Sequence, residues 1–337
     1  MGSRRVTLAD VAEAAGVSRS TASEALSGRG RMSEATRAAV REAAAQLGYR
    51  PNALARGLRT GRTFSIGLHQ LAGADAFATQ YVRDFVGGVM LVAKERDYDL
   101  MFLSAHPDKP RPSQPQVDGI IIADPIADDL RALELLASGA PVVAAEQFPA
   151  GMPGSPVIRI DSTRLLEGLL DHCFAAGARR PLMVAPDANS GWGVLMRSAY
   201  VAWCAARAIE PVHVSIAFID GFEEDEAEMM EQLLAVRPDA DLVIVPTEFA
   251  ALAVVGSLRS RGVPIGADGV QVACLVEAGV LEHLATPVTS IDLHPRILGA
   301  ACATALIDHL ESGTPIPDLT LVEGSLRLRE STGVPAR

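Results

Sequence analysis

From Phe64 onward the chain keeps repeating one pattern: a short apolar run, then an amphipathic segment of three or four helical turns. Runs such as Gly119-Ile120-Ile121-Ile122-Ala123 are apolar on both faces of a strand. Such a strand must be covered on both sides, which parallel sheets with helical crossovers achieve. The pattern predicts strands at Phe64–Leu68, Asp99–Ser104, Val117–Ala123, Pro141–Ala145 and Val157–Ile160. A second cycle predicts strands at Pro181–Ala185, Val212–Ile216, Asp241–Val245, Gly269–Cys274 and Val288–Leu293, with terminal strands near 320–323 and 326–328. The helices between them are expected at Tyr81–Arg96, Asp128–Ser138, Ser162–Gly177, Val194–Arg207, Glu223–Val236, Glu248–Arg261 and Pro295–Glu311. Two such cycles imply two doubly wound α/β lobes with a cleft at the strand C-termini. The repetition is one of organisation; no sequence repeat accompanies it.

The first sixty residues have a different texture. Thr7 can cap a helix, with Asp10 as a weak capping-box partner. Leu8, Val11, Ala12 and Ala15 then form one apolar face, and Gly16 supplies a left-handed stop. Ser18 caps a second helix whose Ala22, Ala25 and Leu26 face inward while Arg19, Ser20 and Ser23 face out, with Thr21 at the edge. This is the pattern of a helix-turn-helix, whose second helix enters a DNA major groove. A plain amphipathic helical hairpin gives the same local pattern. A basic turn, Ser27–Arg31, leads to a third helix from Glu34 to Leu47, capped by Ser33 and ended by Gly48. The stretch Pro51–Arg62, with Asn52 as cap and Gly57 and Gly61 as breaks, is too short to be a stable isolated helix. It either orders against a partner or serves as a flexible basic linker.

Charge separates the two regions. The first 62 residues hold 11 arginines, no lysine and 5 acidic residues, whereas the whole 337-residue chain has a net charge of -11. A basic head on an acidic body is the footprint of a nucleic-acid-binding module on a soluble domain. The acidic body repels phosphate and leaves contact to the head. Cys173, Cys204, Cys274 and Cys302 are far apart, with no spacing for zinc, and read as buried thiols in a reducing cytoplasm. No cofactor is expected. No signal peptide follows Met1 and no apolar stretch is long enough to span a membrane, so a cytoplasmic location is expected.

Taken together these pieces resemble the LacI-type (lactose/galactose repressor) transcription regulators. The resemblance rests on Val6 through Gly28, on Gly48-Tyr49-Arg50-Pro51-Asn52-Ala53-Leu54-Ala55-Arg56-Gly57-Leu58, and on later echoes. These are Val117–Ile121, Gly262-Val263-Pro264, Thr286–Ser290 and Leu328-Arg329-Glu330-Ser331-Thr332. It implies a small all-α helix-turn-helix head (1–50), a hinge (51–62) and a periplasmic-binding-protein-like α/β body (63–337). The first lobe would span about 63–160 plus 291–325 and the second about 161–290. Two chains would pair through their bodies so that two heads meet a palindromic operator in double-stranded DNA.

Residue by residue, the resemblance implies base reading by Arg19 and Ser20. Phosphate contacts would come from Thr7, Ser18, Thr21, Ser23, Arg29 and Arg31. Asn52, Ala55 and Leu58 match the hinge helix, with Leu58 as the wedge in the minor groove. Glu24 departs from the arginine many relatives carry; it either accepts from cytosine N4 or is a solvated helix residue. In the cleft, Tyr81, Asp161, Arg197, Glu248 and Val276 fall at effector positions, for a carbohydrate or another metabolite. Val276 replaces a carboxylate and Leu293 a polar residue common in sugar binders, which speaks against a monosaccharide held in the usual way. Asp161 could instead cap the following helix.

The reading is a sequence-specific transcriptional regulator, most often a repressor, controlled by a small molecule, forming a homodimer and not an enzyme. The alternatives on the same body are a hydrolase-like α/β enzyme and a solute-binding protein. Asp75, Asp124 and Asp161 lie at or beyond strand ends and could serve the first, but no P-loop, GxSxG, HExxH or strand-following GxGxxG is present. The basic head speaks against the second.

Overall fold

The structure, a computed structural model, describes residues 6–26, 32–49, 61–70, 79–103, 116–186, 189–216 and 234–333. The chain divides into two compact units, residues 1–63 and 64–337. In the first, α1 (Leu8–Ala14), α2 (Arg19–Leu26) and α3 (Glu34–Gln46) pack around Val11, Ala12, Ala22, Ala25, Val40, Ala43 and Ala44. Most of these side chains are alanine, so the helices approach closely and bury little apolar area. Leu8, Val17, Met32 and Tyr49 close the margins of this small core.

The second unit holds two sheets. Its elements are β1 (Ser65–His69), α4 (Gln80–Glu95), β2 (Asp99–Phe102), β3 (Gly119–Ala123), α5 (Leu130–Leu136), β4 (Val142–Ala145) and β5 (Val157–Ile160). There follow α6 (Ser162–Ala175), β6 (Pro181–Pro186), α7 (Gly191–Ala205), β7 (Val212–Ile216), β8 (Leu242–Val245), α8 (Glu248–Ser260) and β9 (Gln271–Cys274). The last are β10 (Thr289–Asp292), α9 (Pro295–Ser312), β11 (Leu319–Val322) and β12 (Ser325–Arg327). Among the described residues one sheet runs β11-β5-β4-β3-β1-β2, all parallel. The other runs β12-β10-β9-β8-β6-β7, parallel except for the antiparallel β10–β12 pair. β10 stays in the second sheet, so the chain recrosses to the first lobe only after Asp292. Eleven residues of the expected helix at Glu223–Val236 fall outside the described residues.

The covering of both sheet faces is visible within β3. Ile121 packs into the large core beneath α4 and α9, while Ile120 and Ile122 pack with Ala132 and Leu135 of α5 on the opposite face. The C-terminal motif fastens the second sheet. Arg329 makes a two-pronged pair with Glu277, Nη1 to Oε2 at 2.8 Å and Nη2 to Oε1 at 2.9 Å, and Nη1 also donates to the Val288 carbonyl. Ser331 Oγ donates to the Val272 carbonyl (2.6 Å) and accepts from the Thr289 amide (2.9 Å). The motif thus joins β9, β10 and the loop after β9.

In the first lobe α4 and α9 cross where two glycines meet the opposing backbone. A Cβ on Gly88 would lie 2.0 Å from the Arg296 carbonyl oxygen, and one on Gly299 would lie 2.1 Å from that of Phe85. Neither backbone can retreat without unpacking the core. Gly87 is different: a Cβ there would meet only the tip of the Arg296 side chain, at 3.3 Å. Gly88→Ala is therefore expected to destabilise the body by about 1–3 kcal/mol or more. Gly87→Ala should be neutral or stabilising by roughly 0.5–1 kcal/mol, because alanine restricts the unfolded chain. Denaturant melts of the two variants check this, and equal effects would contradict the crossing geometry.

Candidate functional site

In the head the expected turn forms. The Thr7 amide donates to Asp10 Oδ2 (2.7 Å) and the Asp10 amide returns to Thr7 Oγ1 (3.4 Å), so the capping box is complete. Gly16, at φ +64°, ends α1 and lets the Val17 amide reach the Ala12 carbonyl (2.9 Å). Ser18 Oγ accepts from the Thr21 amide (3.1 Å) and lies 2.7 and 2.8 Å from the hydroxyls of Ser20 and Thr21. Ala22 and Ala25 anchor α2 to the core, while Arg19, Ser20 and Glu24 are exposed and Thr21 and Ser23 half-buried. An N-terminal turn with three hydroxyls and an exposed arginine offers donors to phosphates and base edges. Arg29, Arg31, Asn52, Ala55 and Leu58 lie outside the described residues.

In the body the two lobes meet through the C-terminal ends of their parallel strands. On one side the loop after β3 meets the loop before α7. The Ala127 amide donates to the Asn189 carbonyl (2.7 Å), and Ile126 and Ser190 form an isolated antiparallel bridge. α7 begins at Gly191, three residues before the expected Val194, because Ser190 caps it through the Gly193 amide (2.8 Å). Gly191 itself lies against the Gln147 carbonyl of the other lobe, where a Cβ would stand 2.0 Å away. On the other side the N-terminus of α4 meets the second lobe. The Gln80 amide donates to Glu248 Oε1 (3.1 Å), and Gln80 Oε1 accepts from the Gly279 amide (2.8 Å).

Between these contacts stand two acidic residues on neighbouring strands. Ala123 and Ala145 are register partners of β3 and β4, and Asp124 and Glu146 each follow by one residue. Both have left-handed backbones, at φ +45° and +78°. For residues with a side chain this costs on the order of 1 kcal/mol each. The Asp124 amide donates to the Ala145 carbonyl (3.0 Å) and the Glu146 amide to the Ile158 carbonyl (3.1 Å). Glu146 is only 2% exposed; Oε1 accepts from the Ile160 amide (3.4 Å), and Oε2 is buried without a hydrogen-bond partner. Burial raises Asp124 to about 7. Burial, then the Asp124 charge, raises Glu146 to about 8, against smaller opposing effects of the Ile160 amide and Arg159. The Tyr81 phenol is held well above its ordinary range by burial and next by the charges of Asp124 and Glu146, so all three groups share one place.

Of the residues expected at the cleft, Tyr81 is therefore brought to the acidic pair and Glu248 to the amide end of α4. Asp161 caps α6, with Oδ1 accepting from the Arg164 amide (3.5 Å) and from Thr163 Oγ1 (3.1 Å). Arg197 is half-buried on α7 and forms no ion pair with a described residue. Val276 and Leu293 are 8% and 3% exposed and belong to the central apolar core. Residue-level reading missed Glu146 and gave Asp124 only as a loop acid. The available signal was an acidic residue directly following an all-apolar strand, as in Val143-Ala144-Ala145-Glu146. The four cysteines are buried and reduced; burial pushes the Cys173 thiol up to about 12 and raises the other three. Among the described residues no cluster of metal-ligating side chains occurs, and no helix is long and apolar enough to cross a membrane.

Residues 7–52 match the family of bacterial regulatory proteins, lacI family, and residues 170–332 match the periplasmic binding protein-like domain. The chain belongs to the LacI family. The HTH-type transcriptional regulator CelR of Thermobifida fusca is 28% identical over 97% of this chain and 98% of its own length. AglR of Rhizobium meliloti is 25% identical over 97% and 94%. A solved CelR–cellobiose complex superposes with a TM-score of 0.70 at 26% identity, covering 97% of this chain and all of that one. The lac repressor dimer bound to operator and the anti-inducer ONPF gives 0.81 at 21% identity, over 98% of this chain and all of that one, a likeness of fold. This LacI-family chain is thus a transcriptional regulator with a DNA-binding head and a two-lobed ligand-binding body.

The raised acids give the body a pH signature. Above about pH 4, folded Asp124 up to about pH 7 and folded Glu146 up to about pH 8 hold protons that the unfolded chain has released. Stability must therefore fall as pH rises through that window. Thermal melts from pH 5 to 8.5 should show the parent losing ground to Glu146→Gln as pH increases. Parallel curves for the two proteins would contradict a desolvated Glu146.

Proposed function

We propose that the chain is an effector-controlled operator-binding repressor. In this reading residues 1–50 are the head, 51–62 the hinge, and 63–337 the body that binds effector and a second copy of the chain. The observation that carries it is α2: anchored by Ala22 and Ala25, hydroxyl-rich at its start, and exposed along Arg19 and Ser20. Arg19 and Ser20 read base edges. Thr7, Ser18, Thr21, Ser23, Arg29 and Arg31 hold phosphates. Asn52, Ala55 and Leu58 form the minor-groove hinge. The effector enters between the lobes near Tyr81, Arg197 and Glu248; a sugar is the starting candidate, since a relative was solved with cellobiose. By shifting the lobes it changes operator affinity. Asp161 and Val276 border that site through helix capping and packing. The protein acts in the cytoplasm, catalyses no reaction, and pairs as a homodimer so that two heads meet two half-sites.

Binding of a short palindromic duplex, measured by filter retention at several salt concentrations, tests the reading. Affinity should fall steeply with salt, as expected when several phosphates are neutralised. Arg19→Ala should cost about 1–3 kcal/mol and relax preference at one base pair. Leu58→Gly should weaken operator binding while leaving the melting of the body unchanged. Arg197→Ala should keep DNA binding and lose effector response. Unchanged operator affinity in both head and hinge variants would overturn the assignment.

A further inference from the structure

The effector cleft has an unusual charge arrangement for a site meant to take neutral hydroxyls. Asp124 and Glu146 stand side by side at the ends of β3 and β4, in the same left-handed conformation, one residue past a register pair. Neither forms an ion pair with a described residue, and Glu146 Oε2 is buried with no donor. A third carboxylate, Glu248, is already engaged by the amide end of α4. The groups that face the pair include one cation, Arg159. They are the Tyr81 phenol from α4, the Cys302 thiol from α9 and, from β5, Arg159, whose Nη1 donates to the Ile160 carbonyl.

We propose that the effector is a small amine-bearing molecule whose ammonium group sits between Asp124 and Glu146 and donates to Glu146 Oε2. The proposal rests on the cleft being the effector site and names the ligand class for it. Hydroxyl groups can donate to the unpartnered oxygen of a carboxylate. An ammonium group donates to the carboxylate oxygens and also balances their charge, whereas a hydroxyl only donates. Protons can balance the same charge, since burial raises Asp124 to about 7 and Glu146 to about 8. An ammonium group entering the site displaces a carboxyl proton to solvent. The acidity of the whole chain, at -11, also draws cations toward it.

The test uses the full chain without DNA, so that it stands apart from operator binding, and two matched pairs of probes. These are putrescine against 1,4-butanediol and the β-1,4-linked glucosamine disaccharide against cellobiose, titrated calorimetrically near pH 7 in two buffers of different ionisation enthalpy. The amines should bind about tenfold or more tightly than their neutral partners and release protons on binding. Both effects should disappear in Glu146→Gln and Asp124→Asn, with folding verified by thermal melting. The proposal is overturned if the neutral members bind as well as the amines, if none of the four probes binds, or if the preference survives Glu146→Gln. Loss of operator binding with amine preference intact would instead count against the regulatory reading alone.

Discussion

Parallel strands place all their C-termini, and the N-termini of the helices that follow, on one edge of a sheet. This chain builds two such sheets, and the lobes touch edge to edge. The contacts described between them come from loops that follow strands and from the first residues of the next helices: 126–127 with 189–190, Gln147 with Gly191, and Gln80 with Glu248 and Gly279. Amide groups and helix dipoles converge there, so the edge is polar although the strands are apolar. A ligand between the lobes would touch groups whose positions are set by both sheets at once. That is the physical basis for turning occupancy into a change of lobe arrangement.

The body is well secured away from that edge. The α4–α9 crossing is locked by two glycines against backbone, and the second sheet is closed by the Arg329–Glu277 pair and the Ser331 bonds. Polar groups left unsatisfied cost most when buried. Glu146 Oε2 carries that cost at the strand ends, and Asp124 and Glu146 add left-handed backbones. Left-handed backbones also occur at Phe64, Asp97, Asp128, Ala208 and His294, but at Glu146 one coincides with a buried carboxylate oxygen that has no hydrogen-bond partner.

Much of this was legible from residues alone. Strands apolar on both faces, such as 119–123, allow few alternatives to a covered parallel sheet, and their ends came within a few residues. Thr7, Ser18 and Ser33 announced the three head helices because capping is local chemistry. What local pattern could not give were partners far along the chain. Position 191 takes glycine because the Gln147 carbonyl of the other lobe leaves no room for a side chain, and nothing near Gly191 in sequence records that. Glu248 finds its donor 168 residues away. Glu146 became visible as a site residue only once β3 and β4 were known to be neighbours.

The account stands on the head as a reader of duplex sequence. The direct measurement exposes the full chain to a pool of random double-stranded DNA and sequences what is retained over successive rounds. Enrichment of a two-fold symmetric site, bound by two copies of the chain, is the predicted result. Retention of DNA without any sequence preference would contradict it.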